Sequence, residues 1–172
     1  MKNLVQKGNF RFDIPDNRLS ETFQWQVQEL TFPSVQIETA RVVRSPKLSN
    51  TLIAGTGTTY DNIQITFLLD ENLTAYAELY SWMLTMQNPN GPTTESASNV
   101  PRTSLLHIMN NTKEDIVVTF KFHRMFPVSL DSIDWNYTEV GDLESMTCVA
   151  TFQYEYFDMI TTDGVVSPRP AK

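Results

Sequence analysis

Apolar and polar residues alternate with a period of two over most of this chain, the spacing of strands that bury one face and show the other to water. From Thr22, the residues Phe23, Trp25 and Val27 alternate with Gln24, Gln26 and Gln28, and Phe32 with Pro33 closes the segment. Val35 and Ile37 open a second strand that runs to about Arg44. In a third, Ile63, Ile65, Phe67 and Leu69 alternate with Asn62, Gln64 and Thr66. Residues 105–109 and 116–122 read as the arms of a hairpin, because Asn110, Asn111, Thr112, Lys113, Glu114 and Asp115 between them supply turn chemistry. Ile133, Trp135 and Tyr137 alternate with Ser132, Asp134 and Asn136. The longest alternation sets Cys148, Ala150, Phe152, Tyr154 and Tyr156 against Thr147, Val149, Thr151, Gln153 and Glu155. Together these segments predict a mainly β fold, an antiparallel barrel or sandwich of about seven strands.

One segment changes period. Leu73, Tyr76, Ala77, Tyr80, Met83, Leu84 and Gln87 fall at three- and four-residue spacing, which predicts one flanking amphipathic helix over about 72–87. Asp70 or Asn72 is the expected cap, acids in the first turn suit the macrodipole, and Asn88, Pro89, Asn90, Gly91 and Pro92 end the helix. Its apolar stripe is expected to cover an open end or face of the sheet. Residues 45–59, 88–102 and 161–172 show no periodicity. The first of these places Leu48, Leu52 and Ile53 among Ser, Asn, Thr and Gly, and a long loop with apolar residues has to bury them somewhere. The expectation is a long inter-subunit loop, with folding back onto its own domain as the alternative. Residues 1–172 are expected to form one domain, with its core at about 22–159 and flexible termini.

Composition narrows the function. The 172 residues are 41% hydrophobic and 19% charged, the balance of a globular chain large enough to close one core. A formal net charge of −7 gives no basic footprint for tight nucleic-acid binding. The charge is uneven. Arg41, Arg44 and Lys47 cluster early, whereas Met125 to Pro168 holds no Lys or Arg but carries Asp131, Asp134, Glu139, Asp142, Glu144, Glu155, Asp158 and Asp163. Either a basic patch on one copy meets an acidic patch on another, or both faces are simply solvated. Cys148 is the only cysteine, so a disulfide framework and a Cys-based zinc site within the chain are excluded. Residues 1–11 lack an apolar signal core, and no uncharged apolar run is long enough to span a bilayer, so a soluble protein that is not exported is expected.

Candidate chemistry is sparse. His107 lies between Leu106 and Ile108, His123 between Phe122 and Arg124, and no Ser elbow or Cys stands beside either. Gly55-Thr56-Gly57 is followed by Thr58-Thr59-Tyr60-Asp61 and a strand, not by the Lys and helix that a phosphate-binding loop requires. The pairs Asp70/Glu71 and Asp142/Glu144 read as a helix-terminal pair and a turn. Trp25, Trp82 and Trp135 have no interleaved Lys or Arg, so they suit packing better than base stacking. No catalytic residue, cofactor or metal is expected, and assembly through sheet edges becomes the leading reading.

Two blocks carry a resemblance. Leu52-Ile53-Ala54-Gly55-Thr56-Gly57-Thr58-Thr59-Tyr60-Asp61 leading into Asn62-Ile63-Gln64-Ile65-Thr66-Phe67-Leu68-Leu69-Asp70-Glu71, followed by a helix with Trp82 near its end, resembles the tail tube proteins of contractile-tailed bacteriophages. Phe126-Pro127-Val128-Ser129-Leu130-Asp131-Ser132-Ile133-Asp134-Trp135, then Glu144 and the strand to Phe157, is similar to the carboxy-terminal half of that family. The blocks cover most of Thr22 to Met159, and the loop from Asn88 to Arg102 and the tail past Met159 read as additions.

The resemblance implies a non-enzymatic subunit that forms stacked, hexameric rings around a channel for DNA. A tube-initiating baseplate ring or a tail-terminating ring of the same fold is the alternative, and a lectin-like sandwich a second one. It also implies tail sheath, baseplate and tape-measure proteins as partners beside further copies of itself, DNA that passes without tight binding, no membrane, and a place in the virion tail after assembly in the host cytoplasm. Arg41, Arg44, Lys47, Leu48, Leu52 and Ile53 are the expected subunit interface. Gln24, Gln26, Gln28, Gln64, Thr66, Thr151, Gln153 and Glu155 are the candidates for the wall of the lumen.

Overall fold

The computed structural model describes residues 4–15, 21–42, 51–87, 102–135 and 145–168. Within them the elements run β1 (Phe10–Asp13), α1 (Glu21–Gln26), β2 (Val27–Thr31), β3 (Val35–Val42), β4 (Thr51–Tyr60), β5 (Ile63–Leu68), α2 (Thr74–Gln87), β6 (Arg102–Met109), β7 (Ile116–Leu130), β8 (Thr147–Gln153), β9 (Tyr156–Thr161) and β10 (Gly164–Val166). The mainly antiparallel β architecture that the alternation predicts is present. The strands are more numerous than the sequence pattern suggests, and a short second helix, α1, accompanies the main one.

β7 joins two sheets. Its first part pairs with β6 and β9, which carry β1 and β10 on their outer sides. Its last part pairs with β8, followed by β5 and β2. The corner lies at Arg124, which takes a left-handed φ of 55°. Opposite it the chain breaks at Tyr154 and Glu155, where the Glu155 amide donates to the His123 carbonyl at 2.9 Å. The long alternation over residues 147–156 therefore splits into β8 in one sheet and β9 in the other. An extra residue at the break also changes the parity, so Cys148, Ala150 and Phe152 point inward before it and Phe157 packs on the core after it.

The core fills the space between the sheets. Ile63, Ile65 and Phe67 of β5 meet Cys148, Ala150 and Phe152 of β8 and Phe122 of β7, while Phe12 and Ile14 extend the core upstream of residue 22. The segment from Thr22, which alternates like a strand, is helical up to Gln26. In a strand Phe23 and Trp25 would share one face, but Phe23 is fully buried edge-on to Phe67 at 5.3 Å whereas Trp25 is 74% exposed. The Arg11 guanidinium lies over the Trp25 ring, 5.7 Å from its centre.

α2 is capped by Asp70, whose carboxylate accepts from the Thr74 amide at 2.8 Å and the Thr74 hydroxyl at 2.7 Å. The hydroxyl bond holds the Asp70 carboxyl below the ordinary carboxylate range, against the opposing effect of burial. The first turn contains no acid, contrary to expectation. The buried face also differs: Ala75, Leu79 and Trp82 point into the core, while Ala77, Tyr80 and Leu84 of the expected stripe are exposed. Both faces are apolar, so periodicity alone leaves the choice open. Ala75 permits close approach to the sheet, and Trp82 reaches Phe152 with ring centres 6.2 Å apart.

The expected strand at Ile133 and Trp135 is absent: residues 131–135 are irregular, and Tyr137 lies outside the described residues. The Asp131 amide still bonds the Val149 carbonyl, which ties the segment to β8.

Tyr154 packs on Phe122 and Tyr60, and its buried hydroxyl has no hydrogen-bond partner among the described residues. Burial pushes its pKa well up, with smaller contributions from Tyr60 and Asp61. Removing an unmatched buried hydroxyl costs nothing in hydrogen bonding. Tyr154→Phe is therefore expected to hold or raise the melting temperature in calorimetry, and a clear fall would contradict the orphan hydroxyl.

Candidate assembly surfaces

The first surface is the β3–β4 ribbon, whose two strands pair with each other and, among the described residues, join neither sheet. Aromatic rings anchor its root: Phe32 packs on Phe120 at 4.7 Å and Phe157 at 5.6 Å, and Tyr60 packs on Phe157 at 5.6 Å. The Ser34 hydroxyl bonds the Asp61 carboxylate across the same root. The segment 45–59, expected as a loop, is thus strand from Thr51 onward. A high content of Gly and Thr hides that strand because the pairing residues lack a buried face.

Gly55-Thr56-Gly57 forms a bulge opposite Glu38, between the pairs Ile37↔Thr58 and Thr39↔Ala54. A Cβ on Gly55 would stand 2.5 Å from the Glu38 carbonyl oxygen, so only glycine fits without movement. Gly55→Ala is expected to cost the ribbon about 1–3 kcal/mol. The loss should appear as faster amide exchange in residues 51–60 with β5 and β8 unchanged; uniform exchange rates would count against the bulge.

Of the expected interface residues, Arg44, Lys47 and Leu48 lie outside the described residues. The backbone places Arg41 opposite Leu52 and Ala40 opposite Ile53 near one end of the ribbon. The Ile53 side chain is 45% exposed, and Val35 and Ile37 of β3 are exposed as well. The ribbon therefore presents aliphatic side chains to solvent.

The second surface is the outer face of β2, β5 and β8. Cross-strand register aligns Thr31 with Gln64 and Gln64 with Thr151, and in the next row Glu29 with Thr66 and Thr66 with Val149. Gln153 continues the face along β8 and is exposed. Gln64, Thr66, Thr151 and Gln153 are thus neighbours on a polar, nearly uncharged wall. The other candidates leave it. Gln24 lies in α1 and donates to the Ile14 carbonyl at 3.3 Å, Gln26 lies in the same helix with its carbonyl oxygen buried, and Gln28 sits at a register shift on β2. Glu155 falls in the break between β8 and β9, 3.8 Å from Arg124.

The third surface is a set of open strand edges. Among the described residues β1 pairs only with β6, β2 only with β5, and β10 only with β9. Among those residues each leaves one row of backbone donors and acceptors unpaired, the feature through which strands join other strands.

The histidines serve the sheet. His107 Nδ1 lies 2.9 Å from the Thr119 hydroxyl, and burial lowers its pKa, with Asp13 and Arg11 acting in opposite directions. His123 stacks on Tyr156 and its Nε2 lies 2.7 Å from the Asp158 carboxylate. Burial alone would raise the Asp158 pKa, but bonds from Ser167 and His123, with the charges of His123 and Lys121, bring it below the usual value. The sign follows: a carboxylate depressed in the folded state contributes stability above its unfolded pKa and loses it as pH falls through the folded one. Asp158→Asn is expected to flatten the acid limb of the stability profile below about pH 4. Among the described residues no group of three His, Cys, Asp or Glu side chains could hold a metal ion.

A family model described as phage tail tube protein matches residues 2–160. The chain belongs to that family. It is 27% identical over 165 residues to the tail tube terminator protein of Enterobacteria phage T4, a match covering 95% of this chain and 93% of the relative. Its fold is similar to that of the tube-terminating cap of the anti-feeding prophage, with a TM-score of 0.68 at 15% identity over 94% of both chains. A chain from the sheath/tube terminator structure of the extracellular contractile injection system PVC gives a TM-score of 0.66 at 14% identity, over 92% of this chain and 97% of that one. A chain from the PVC sheath–tube complex gives 0.65 at 15% identity, over 92% and 93%. The family is one of phage tail tube proteins, structural components of a phage tail.

Proposed function

We propose that this tail tube family protein is a terminator: a ring of copies that closes the end of a contractile tail tube and meets the sheath there. The end-to-end likeness to the T4 tail tube terminator carries this reading, because it spans nearly all of both chains. It favours the terminating-ring alternative over the tube-body reading. Edges on β1, β2 and β10 that are open among the described residues suit a ring, since a head-to-tail contact repeated to closure pairs an edge of each copy with an edge of the next. Gln64, Thr66, Thr151 and Gln153 are the proposed lining of a hexameric channel. A wall without cations releases few counterions from DNA, so DNA would pass without tight binding.

Negative-stain microscopy tests the reading. The purified protein is expected to form rings that do not extend on their own and that sit on the ends of preformed tubes from the same tail. Long tubes made of this chain alone would restore the tube-body role. A monomer at all concentrations that binds immobilised glycans would support the lectin-like sandwich instead.

A further inference from the structure

β1 and β2 end the path of paired strands that runs β1-β6-β7-β8-β5-β2, and a groove of about 800 Å³ takes its lining from both of them. Residues 5–10 and Gln28, Glu29 and Leu30 of β2 contribute to it. Phe10 pairs with Ile108 and Leu106 with Phe120, so these side chains share one face of the sheet, and with Leu30 and Phe32 they make the lining apolar.

The chain enters the fold beside this groove. The Asn9 amide donates to the Gln6 carbonyl at 3.2 Å, which closes a turn over residues 6–9. Asn9 is buried: its carbonyl accepts from the Met109 amide at 2.9 Å, and its side-chain amide donates to the Asn110 carbonyl at 3.1 Å. The turn is therefore clamped to the end of β6, and the residues before it head back along β1. Leu4 and Val5, on that upstream arm, are 86% and 75% exposed and belong to no strand. Among the described residues the other edge of β1 is unpaired. Because the Asn9 carbonyl takes the Met109 amide, antiparallel alternation turns the backbone groups of Arg11 and Asp13 to β6 and those of Phe10 and Phe12 to that open edge.

We propose that residues 2–5 seat as a strand on the free edge of β1 and close the mouth of the groove, with Val5 opposite Phe10, Leu4 opposite Arg11, Asn3 opposite Phe12 and Lys2 opposite Asp13. A four-residue hairpin loop over residues 6–9 sets this register. It puts Val5 on the face of Phe10, toward the apolar lining. Leu4 falls on the other face beside Arg11, whose guanidinium lies over the exposed Trp25 ring. Lys2 meets a carboxylate of opposite charge across the strands. The occupant is this chain's own amino-terminal segment because the turn delivers it to the edge and one register suits the valine, the leucine and the lysine together. Seated there, the segment guards an open edge and an apolar groove against non-specific pairing. The proposal concerns a single copy and does not rest on the ring reading.

Hydrogen exchange on the monomeric fraction of the full chain reads the seat. The Phe10 and Phe12 amides are expected to exchange slowly, as the Arg11 and Asp13 amides do through β6. Val5→Asp sets a carboxylate against the apolar lining and should speed exchange at Phe10 and Phe12 by about tenfold, with Arg11 and Asp13 still slow. Val5→Ile should keep all four protected. Phe10 and Phe12 amides that exchange as freely as those of Lys7 and Gly8 in the unmodified chain overturn the proposal, as does a Val5→Asp chain in which both stay slow. Leu4→Cys with Arg11→Cys gives the second readout, since a cross-strand pair of this kind holds its Cα atoms about 4.5 Å apart, within disulfide reach. The native Cys148 is buried and stays out of the reaction. Oxidation is expected to bridge the two positions within one chain, seen as a single-chain band that shifts on reduction and located by peptide mapping. Covalent oligomers would put the segment of one copy on the edge of another, and no bridge would leave the edge open; either result overturns the proposal.

Discussion

Ile53→Asp is expected to suppress assembly strongly while leaving the melting temperature of the monomer unchanged. Ile53 sits on β4 opposite Ala40, 45% exposed, in a ribbon that, among the described residues, joins neither sheet of its own chain. Burying an aliphatic side chain of this size is worth about 1.5–3 kcal/mol, of which the exposed share remains available to a neighbouring subunit or ring. A buried carboxylate would add a desolvation cost, and a closed assembly repeats both losses at every contact. Sedimentation velocity beside thermal unfolding of the monomeric fraction separates the outcomes. A monomer that unfolds early would put Ile53 in its own core, and rings that cap tubes as before would move the interface elsewhere. Arg44→Glu should weaken assembly less, and its effect should shrink as salt screens the charge.

The residues of the fold that sequence pattern reveals are those with one buried and one wet face. β5 alternates as Ile63, Ile65 and Phe67 against Gln64 and Thr66, and its burial follows that order. The hairpin of β6 and β7 is equally legible, since Asn110 closes its turn through bonds from Thr112 and Glu114. Pattern misleads where tertiary contacts choose between equal local options. Six residues from Glu21 to Gln26 fit either period, and only the fully buried Phe23 against the exposed Trp25 decides for a helix. α2 is apolar on two sides, so its core face depends on the shape of the sheet beneath it. The ribbon is hidden for the opposite reason, having no buried face at all over Ile53 to Thr59. The polar wall was half legible: Gln64, Thr66, Thr151 and Gln153 share it because cross-strand register brings β5 and β8 together, whereas Gln24 and Gln26 left with the helix.

Phe152→Ala is expected to have the opposite signature, loss of the monomer itself. Phe152 is fully buried in β8, opposite Ile63 on one side and Pro127 on the other, so it stands where β5, β8 and the last part of β7 meet. Its ring centre lies 6.4 Å from Phe23 of α1 and 6.2 Å from Trp82 of α2, so both helices rest on it. Truncating a buried phenylalanine costs about 3–5 kcal/mol through lost transfer energy and the cavity left behind. That is a large share of the roughly 5–15 kcal/mol that holds a domain folded. Urea unfolding should show a midpoint far below that of the unmodified chain, and assembly should vanish with the fold. Phe152→Leu, which keeps most of the volume, should recover much of the loss and restore rings. If Phe152→Ala instead kept the monomer's midpoint, α1 and α2 could not be held as described, and β2, which follows directly on α1, would lose its fixed place at the end of the sheet.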